Sequence, residues 1–190
     1  PRSIVKSSVR YMLKRYLTKS SKLSNSEIIQ IQKDFCLKHS YGPIAKSTDE
    51  ANNQHYEFPI EFFKTILGPK LKYSGSYFKN QNSNLENAEL NSLEKYTQYA
   101  ELKNSESILE LGCGWGSLSL YIATNFPNIQ ITSITNSIIQ YKYINEIINL
   151  KKLNNIKIVH SNMNKFNTDK KYDKIISIEM FEHMYNTKKL

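Results

Sequence analysis

The sequence predicts an α/β fold on a parallel sheet, preceded by a helical extension. Three observations predict it. Apolar runs of strand length near 107–111, 129–134, 156–160 and 172–178 alternate with helical patterns near 116–125 and 137–152. The first run ends in Glu110 and passes through Gly112, Gly114 and Gly116 into a helix. Before residue 106 the patterns are helical or irregular, with no strand. Alternation of this kind implies parallel strands joined by right-handed crossovers.

Taken in order, residues 1–23 form a basic amphipathic stretch. Ile4, Val5, Val9, Met12, Leu13, Tyr16 and Leu17 recur at helical spacing, with Arg2, Lys6, Arg10, Lys14, Arg15 and Lys19 on the other faces. Such a helix either packs on its own domain or lies on an anionic membrane. A second helix starts near Ser24, where Ser24 and Glu27 have capping-box spacing, and runs to about Lys38. Residues 39–57 are polar and irregular. Pro59 opens a short helix from Ile60 to Leu67, closed by Gly68. Ser83 and Glu86 have capping-box spacing for a helix reaching about Leu102, and a last helix begins at about Glu179. The expected organisation is a helical extension with a cofactor lid over residues 1–82 and a sheet-bearing core over residues 83–190.

With 190 residues, 39% hydrophobic and 23% charged, the chain suits a globular domain with a real core. No run approaches the roughly 18 apolar residues of a membrane span. Cys36 and Cys113 are far apart and lack metal-type spacing, so free thiols, a reducing cytoplasm and no metal are expected. The net charge of +9 fits an anionic surface or simply solvated lysines. No nucleic-acid partner is expected, and oligomeric state is not legible. The chain ends soon after its fourth strand, which predicts the first half of a longer sheet.

The Glu110–Gly116 stretch carries the chemistry. Glycine permits a sharp turn and lets a ligand approach the backbone. The following helix offers its N-terminus. The spacing is E-x-G-x-G-x-G, not the G-x-G-x-x-G of dinucleotide sites. An acid just before the glycines favours a ligand with a cationic group, which points to S-adenosylmethionine.

Ligands of open α/β sheets lie beyond the carboxyl ends of the strands. The first strand delivers Glu110, Gly112, Gly114 and Gly116 there. The second delivers Asn136, with Gln140 one helical turn later, as hydrogen-bonding groups for ribose. The third delivers Asn162 for an adenine amino group and Met163 for its ring; the fourth delivers Ile178. Asn136 and Asn162 also suit plain turn chemistry. Glu179, Glu182 and His183 would share one face of a helical turn and suit proton transfer near neutral pH. A charged first turn of a helix is the plainer alternative. Tyr73, Tyr77 and Phe78 around Ser74 form either a lid over a cationic ligand or core beneath a loop.

Over about residues 52–190 the chain resembles the cyclopropane fatty acid synthase and coclaurine N-methyltransferase group of S-adenosylmethionine-dependent enzymes. The residues that carry it are Asn53-Gln54-His55-Tyr56-Glu57, Tyr73 through Phe78, the Glu110–Gly116 turn, Thr135-Asn136-Ser137 with Gln140, and Glu179 through Met184. The resemblance implies a class I, Rossmann-like methyltransferase sheet. It implies cofactor contacts from Ser74, Gly112, Asn136, Gln140, Asn162, Met163 and Ile178, beside which Tyr73 is a further candidate. In the N-methyltransferase branch, residues matching Glu179, Glu182 and His183 handle a small amine. In the cyclopropane branch, the Glu182 position helps hold a bicarbonate, and the substrate is an unsaturated phospholipid chain. Two departures stand out: Gly75 where both branches usually carry cysteine, and Asn162 where an aspartate is usual. An amine acceptor is the preferred expectation, lipid the runner-up, and a catalytically incomplete cofactor-binding fragment the third.

Overall fold

The structure, a computed structural model, describes residues 2–46, 58–186 and 188–189. The stretch Asn53-Gln54-His55-Tyr56-Glu57 lies outside the described residues. The chain forms two compact units, Pro1–Gly42 with Asn186–Leu190, and Pro43–Tyr185.

The first unit holds helices α1 (Arg2–Ser20) and α2 (Asn25–Lys38). Ser24 caps α2 as its spacing predicts: its N–H donates to Glu27 Oε2 at 2.8 Å, and the Glu27 N–H returns a bond to Ser24 Oγ. Neither helix buries a residue. Among the described residues, no helix is long and apolar enough to cross a membrane.

The second unit carries α3 (Ile60–Ile66), α4 (Leu85–Tyr99), β1 (Ser107–Leu111), α5 (Ser117–Asn125), β2 (Gln130–Thr135), α6 (Ile138–Lys151), β3 (Ile156–His160) and β4 (Lys174–Ser177). The strands form one parallel sheet in the order β3-β2-β1-β4. Strand β2 is buried on both faces after its first residue, as a sheet covered by helices on two sides requires. Leu93, Ile108, Leu118, Ile122 and Ile131 pack on one side, and Ile144, Ile148 and Ile158 on the other. Each such side chain contributes about 1.5–3 kcal/mol by leaving water. The sheet expected from the sequence is therefore present.

The ends differ from expectation in three places. Asn84, not Ser83, caps α4, accepting the Asn87 N–H at 2.8 Å, while the Ser83 hydroxyl is taken by Asn80 in the preceding turn. Helix α4 stops at Tyr99 because Glu101 is left-handed, with φ of 48°. No helix begins at Glu179. That residue is itself left-handed (φ 50°), and among the described residues only a single 3₁₀ turn, Phe181–His183, follows. Glu179 therefore does not share a helical face with Glu182 and His183.

Candidate active site

The carboxyl ends of the strands surround a cavity of about 370 Å³, within the roughly 300–1,000 Å³ of small-molecule sites. Its floor is the turn after β1. The Cys113 N–H donates to the Ile134 carbonyl at 2.9 Å, which ties this turn to β2. Gly112 and Gly114 both have positive φ, 73° and 55°. A Cβ on Gly112 would sit 2.8 Å from Met180 Sδ, so the close packing of β1 on the end of β4 demands glycine there. A Cβ on Gly114 would meet nothing within 4 Å, because this glycine borders the cavity instead. Gly116 caps α5 and does not line the cavity.

Glu110 is 3% exposed, and its Oε2 accepts from the Ser119 and Ser133 hydroxyls, the latter at 3.1 Å. Burial raises its carboxyl to about 7, and the two hydroxyl bonds only partly offset this. Burial, with Glu110 nearby, pushes the Cys113 thiol well above its ordinary range. That thiol is consequently no nucleophile near neutral pH.

Beyond β2, Asn136 and Gln140 reach the cavity. Thr135 Oγ1 donates to Gln140 Oε1 at 2.6 Å, so the carboxamide is held by its oxygen, with its NH₂ the principal group left for a ligand. Beyond β3, Met163 lines the cavity and Asn162 does not. The Asn162 Oδ1 accepts the Asn164 N–H at 2.9 Å, an Asx turn of the kind asparagine favours.

The open end of the cavity is built by two segments. After β4 come Ile178, Glu179, Met180, Glu182 and His183; opposite them are Tyr73 and Ser74. Glu179 Oε1 accepts the Gly75 N–H at 3.1 Å and ties the two together. Glu179, Glu182 and His183 are all exposed at this mouth. Tyr73, Tyr77 and Phe78 are 48%, 45% and 53% exposed, which rules out their being core beneath the loop.

Of the residues expected at the site, Gly116, Asn162 and the two lid aromatics Tyr77 and Phe78 do not line the cavity; the others do. The sequence did not single out Lys72, which is buried and donates from Nζ to Ser74 Oγ at 2.6 Å and to the Gly75 carbonyl. Nor did it single out Ser119 and Ser133, whose hydroxyls meet Glu110 only once β1, β2 and α5 have assembled. Lys72 directly precedes Tyr73, so proximity to that loop was the available signal.

Among the described residues, two buried polar atoms lack a hydrogen-bond partner, Trp115 Nε1 and Ser117 Oγ, and both belong to residues that line the cavity. Orphaned polar atoms of this kind are what a polar ligand satisfies. Together with the open space at Gly114 and the acid beneath, they fit a polar ligand bearing a positive charge.

Comparison with known proteins gives this geometry its context. Over 188 residues (98% of it), the chain is 36% identical to (S)-coclaurine N-methyltransferase of Thalictrum flavum subsp. glaucum, of which it covers 52%. It is 29% identical over 131 residues to cyclopropane-fatty-acyl-phospholipid synthase of Escherichia coli (strain K12), covering 69% of this chain and 32% of that enzyme. A crystal structure of coclaurine N-methyltransferase bound to N-methylheliamine and SAH matches with a TM-score of 0.93 at 34% identity, over 98% of this chain and 54% of that one. The chain thus spans about half the length of the N-methyltransferases it matches. With a match to the mycolic acid cyclopropane synthetase model over residues 45–189, the chain belongs to that family.

Proposed function

We propose that this chain is the cofactor-binding part of an S-adenosylmethionine-dependent methyltransferase whose acceptor is a small amine. One observation carries the reading: two carboxyl groups and an imidazole, Glu179, Glu182 and His183, stand at the mouth of the cavity floored by the glycine turn. The greater likeness to the N-methyltransferase branch, 36% identity against 29%, supports the same choice.

When bound, the cofactor supplies an electrophilic methyl group on a sulfonium. Glu110, Gly112, Gly114, Asn136 and Gln140 would hold its methionyl and ribose parts. Met163 and Ile178 would hold the adenine, with Tyr73 and Ser74 above. Glu179 and Glu182 attract and orient an ammonium. His183 takes the proton that blocks the nitrogen lone pair, and the free amine is then aligned for in-line attack. The Gly75 N–H, already engaged by Glu179, is not left over for a separate anion. Bicarbonate enters only with the lipid reading, in which the position of Glu182 would help to hold it.

That second reading has one observation in its favour. Helix α1 carries six basic residues and no acid, beside exposed Ile4, Val5, Met12 and Leu13, as an anionic membrane surface would require. Labelled cofactor offered to lipid extract and to polar amine extract separates the two, because label enters only one phase. A cytoplasmic location is part of the proposal, and both cysteines are free thiols, as a reducing compartment keeps them.

The cofactor assignment is tested by titrating S-adenosylhomocysteine into the full-length protein by calorimetry. Saturable binding is expected, and loss of it in Gly114→Val. No binding to the parent protein overturns the reading.

A further inference from the structure

The segment 70–77, of which Leu71, Lys72, Tyr73 and Ser74 line the cavity, has no regular structure of its own. A segment without strand or helix needs partners elsewhere for its backbone. Helix α4 supplies them. Glu89 is fully buried, yet its two carboxyl oxygens make no ion pair within salt-bridge distance among the described residues. Instead each takes one backbone N–H of the loop: Lys70 donates to Oε2 at 2.9 Å and Lys72 to Oε1 at 3.1 Å. Between those donors, Leu71 is left-handed (φ 49°), a conformation that costs a leucine energy and persists only when its surroundings impose it. The carboxyl group of Glu89 also fills the space above Gly68, where a Cβ would collide with Oε2.

Three residues further along the same helix face, Ser92 Oγ accepts the Tyr77 N–H at 2.7 Å. One turn beyond, the Tyr96 ring lies 5.0 Å from Lys72 Nζ, the group that holds Ser74 and Gly75. The loop is thus fastened at its start, its middle and its end to one stripe of α4.

We propose that Glu89 is a positioning residue for the cofactor site: by fixing the Lys70 and Lys72 amides it sets where Tyr73, Ser74 and Gly75 stand over the cavity. This rests on the cofactor reading above. Glu89 touches no ligand, so its effect must pass through the loop.

The test is calorimetric titration of S-adenosylhomocysteine into full-length parent, Glu89→Gln and Glu89→Ala proteins, reading affinity and stoichiometry separately. Glu89→Gln keeps one acceptor oxygen and loses the other. It should bind about tenfold more weakly at unchanged stoichiometry, the cost of one lost buried hydrogen bond, and Glu89→Ala should bind more weakly still. A purely structural role would lower the binding-competent fraction and leave the dissociation constant alone. Parent-like dissociation constants in both variants, whatever their stoichiometry, overturn the proposal. Absence of binding in the parent itself instead overturns the cofactor reading, and this inference with it.

Discussion

Glu179 and Gly75 are 104 positions apart, yet the Glu179 carboxyl oxygen accepts the Gly75 N–H at 3.1 Å. That bond joins the end of β4 to the loop on the opposite wall. Glu179 thus has two tasks, presenting negative charge at the mouth and holding the loop. Glu179→Gln keeps an acceptor and loses the charge, whereas Glu179→Ala loses both. In the full-length protein, both should raise KM for the amine, by about tenfold if one ion pair is lost. Only Glu179→Ala should also weaken S-adenosylhomocysteine binding. Equal cofactor affinity in the two variants would show that the bond to Gly75 is idle.

The glycines at 112 and 114 separate packing from binding. Gly112→Ala drives a methyl group into Met180 and strains φ, and should cost about 2–4 kcal/mol of stability. Gly114→Ala meets no protein atom, so it should cost only the φ penalty of about 1–2 kcal/mol while losing ligand affinity. Urea unfolding of both variants, beside calorimetry, checks the contrast. A larger stability loss at Gly114 than at Gly112 would contradict it.

Glu110 makes stability depend on pH. Its carboxyl titrates at about 7 in the folded chain against an ordinary 4.5, so between these values the folded state binds the extra proton. Stability therefore falls as pH rises from about 4.5 to about 7, by up to roughly 3 kcal/mol, and levels off above. Glu110→Gln should remove this contribution to the slope, seen by urea unfolding at pH 5, 6, 7 and 8. A cationic ligand nearby should draw the proton off, so cofactor affinity should rise over the same range in the parent and stay flatter in Glu110→Gln.

His183→Ala should lower kcat by about 10²–10⁴, the usual worth of a general base, with cofactor affinity within about twofold. Steady-state kinetics on the amine that accepts label, beside the S-adenosylhomocysteine titration, measures both. Parent-like turnover would remove His183 from the mechanism.

The sheet was legible because its signals are local. The runs at 107–111 and 156–160 match β1 and β3 to the residue, and the glycines announce the turn. The lining of the cavity was legible where one rule, that ligands gather beyond strand ends, could be applied to residues such as Glu110, Asn136 and Met163. What escaped depends on contacts distant in sequence. Nothing near Glu179 reveals that its backbone turns left-handed to meet Gly75, so helical spacing misjudged its company. Ser83 and Glu86 have the right interval for a cap, but Asn84 competes with equal chemistry and wins. Glu89 reads as an ordinary helix-surface acid until the Lys70–Lys72 backbone is laid against it.

Two non-glycine residues beside the cavity, Leu71 and Glu179, are left-handed, and Glu179 is itself the acceptor of the Gly75 bond. Both hold a conformation that glycine would adopt freely and they adopt only under constraint. When that bond parts, Glu179 can relax, which lowers the energetic cost of uncovering the mouth, while Leu71 stays held between the two amides that Glu89 engages. The amide hydrogens of the loop should then exchange with solvent ahead of those in β1 and β2, and entry and release of reactants would pass through this strained seam while the sheet beneath stays shut.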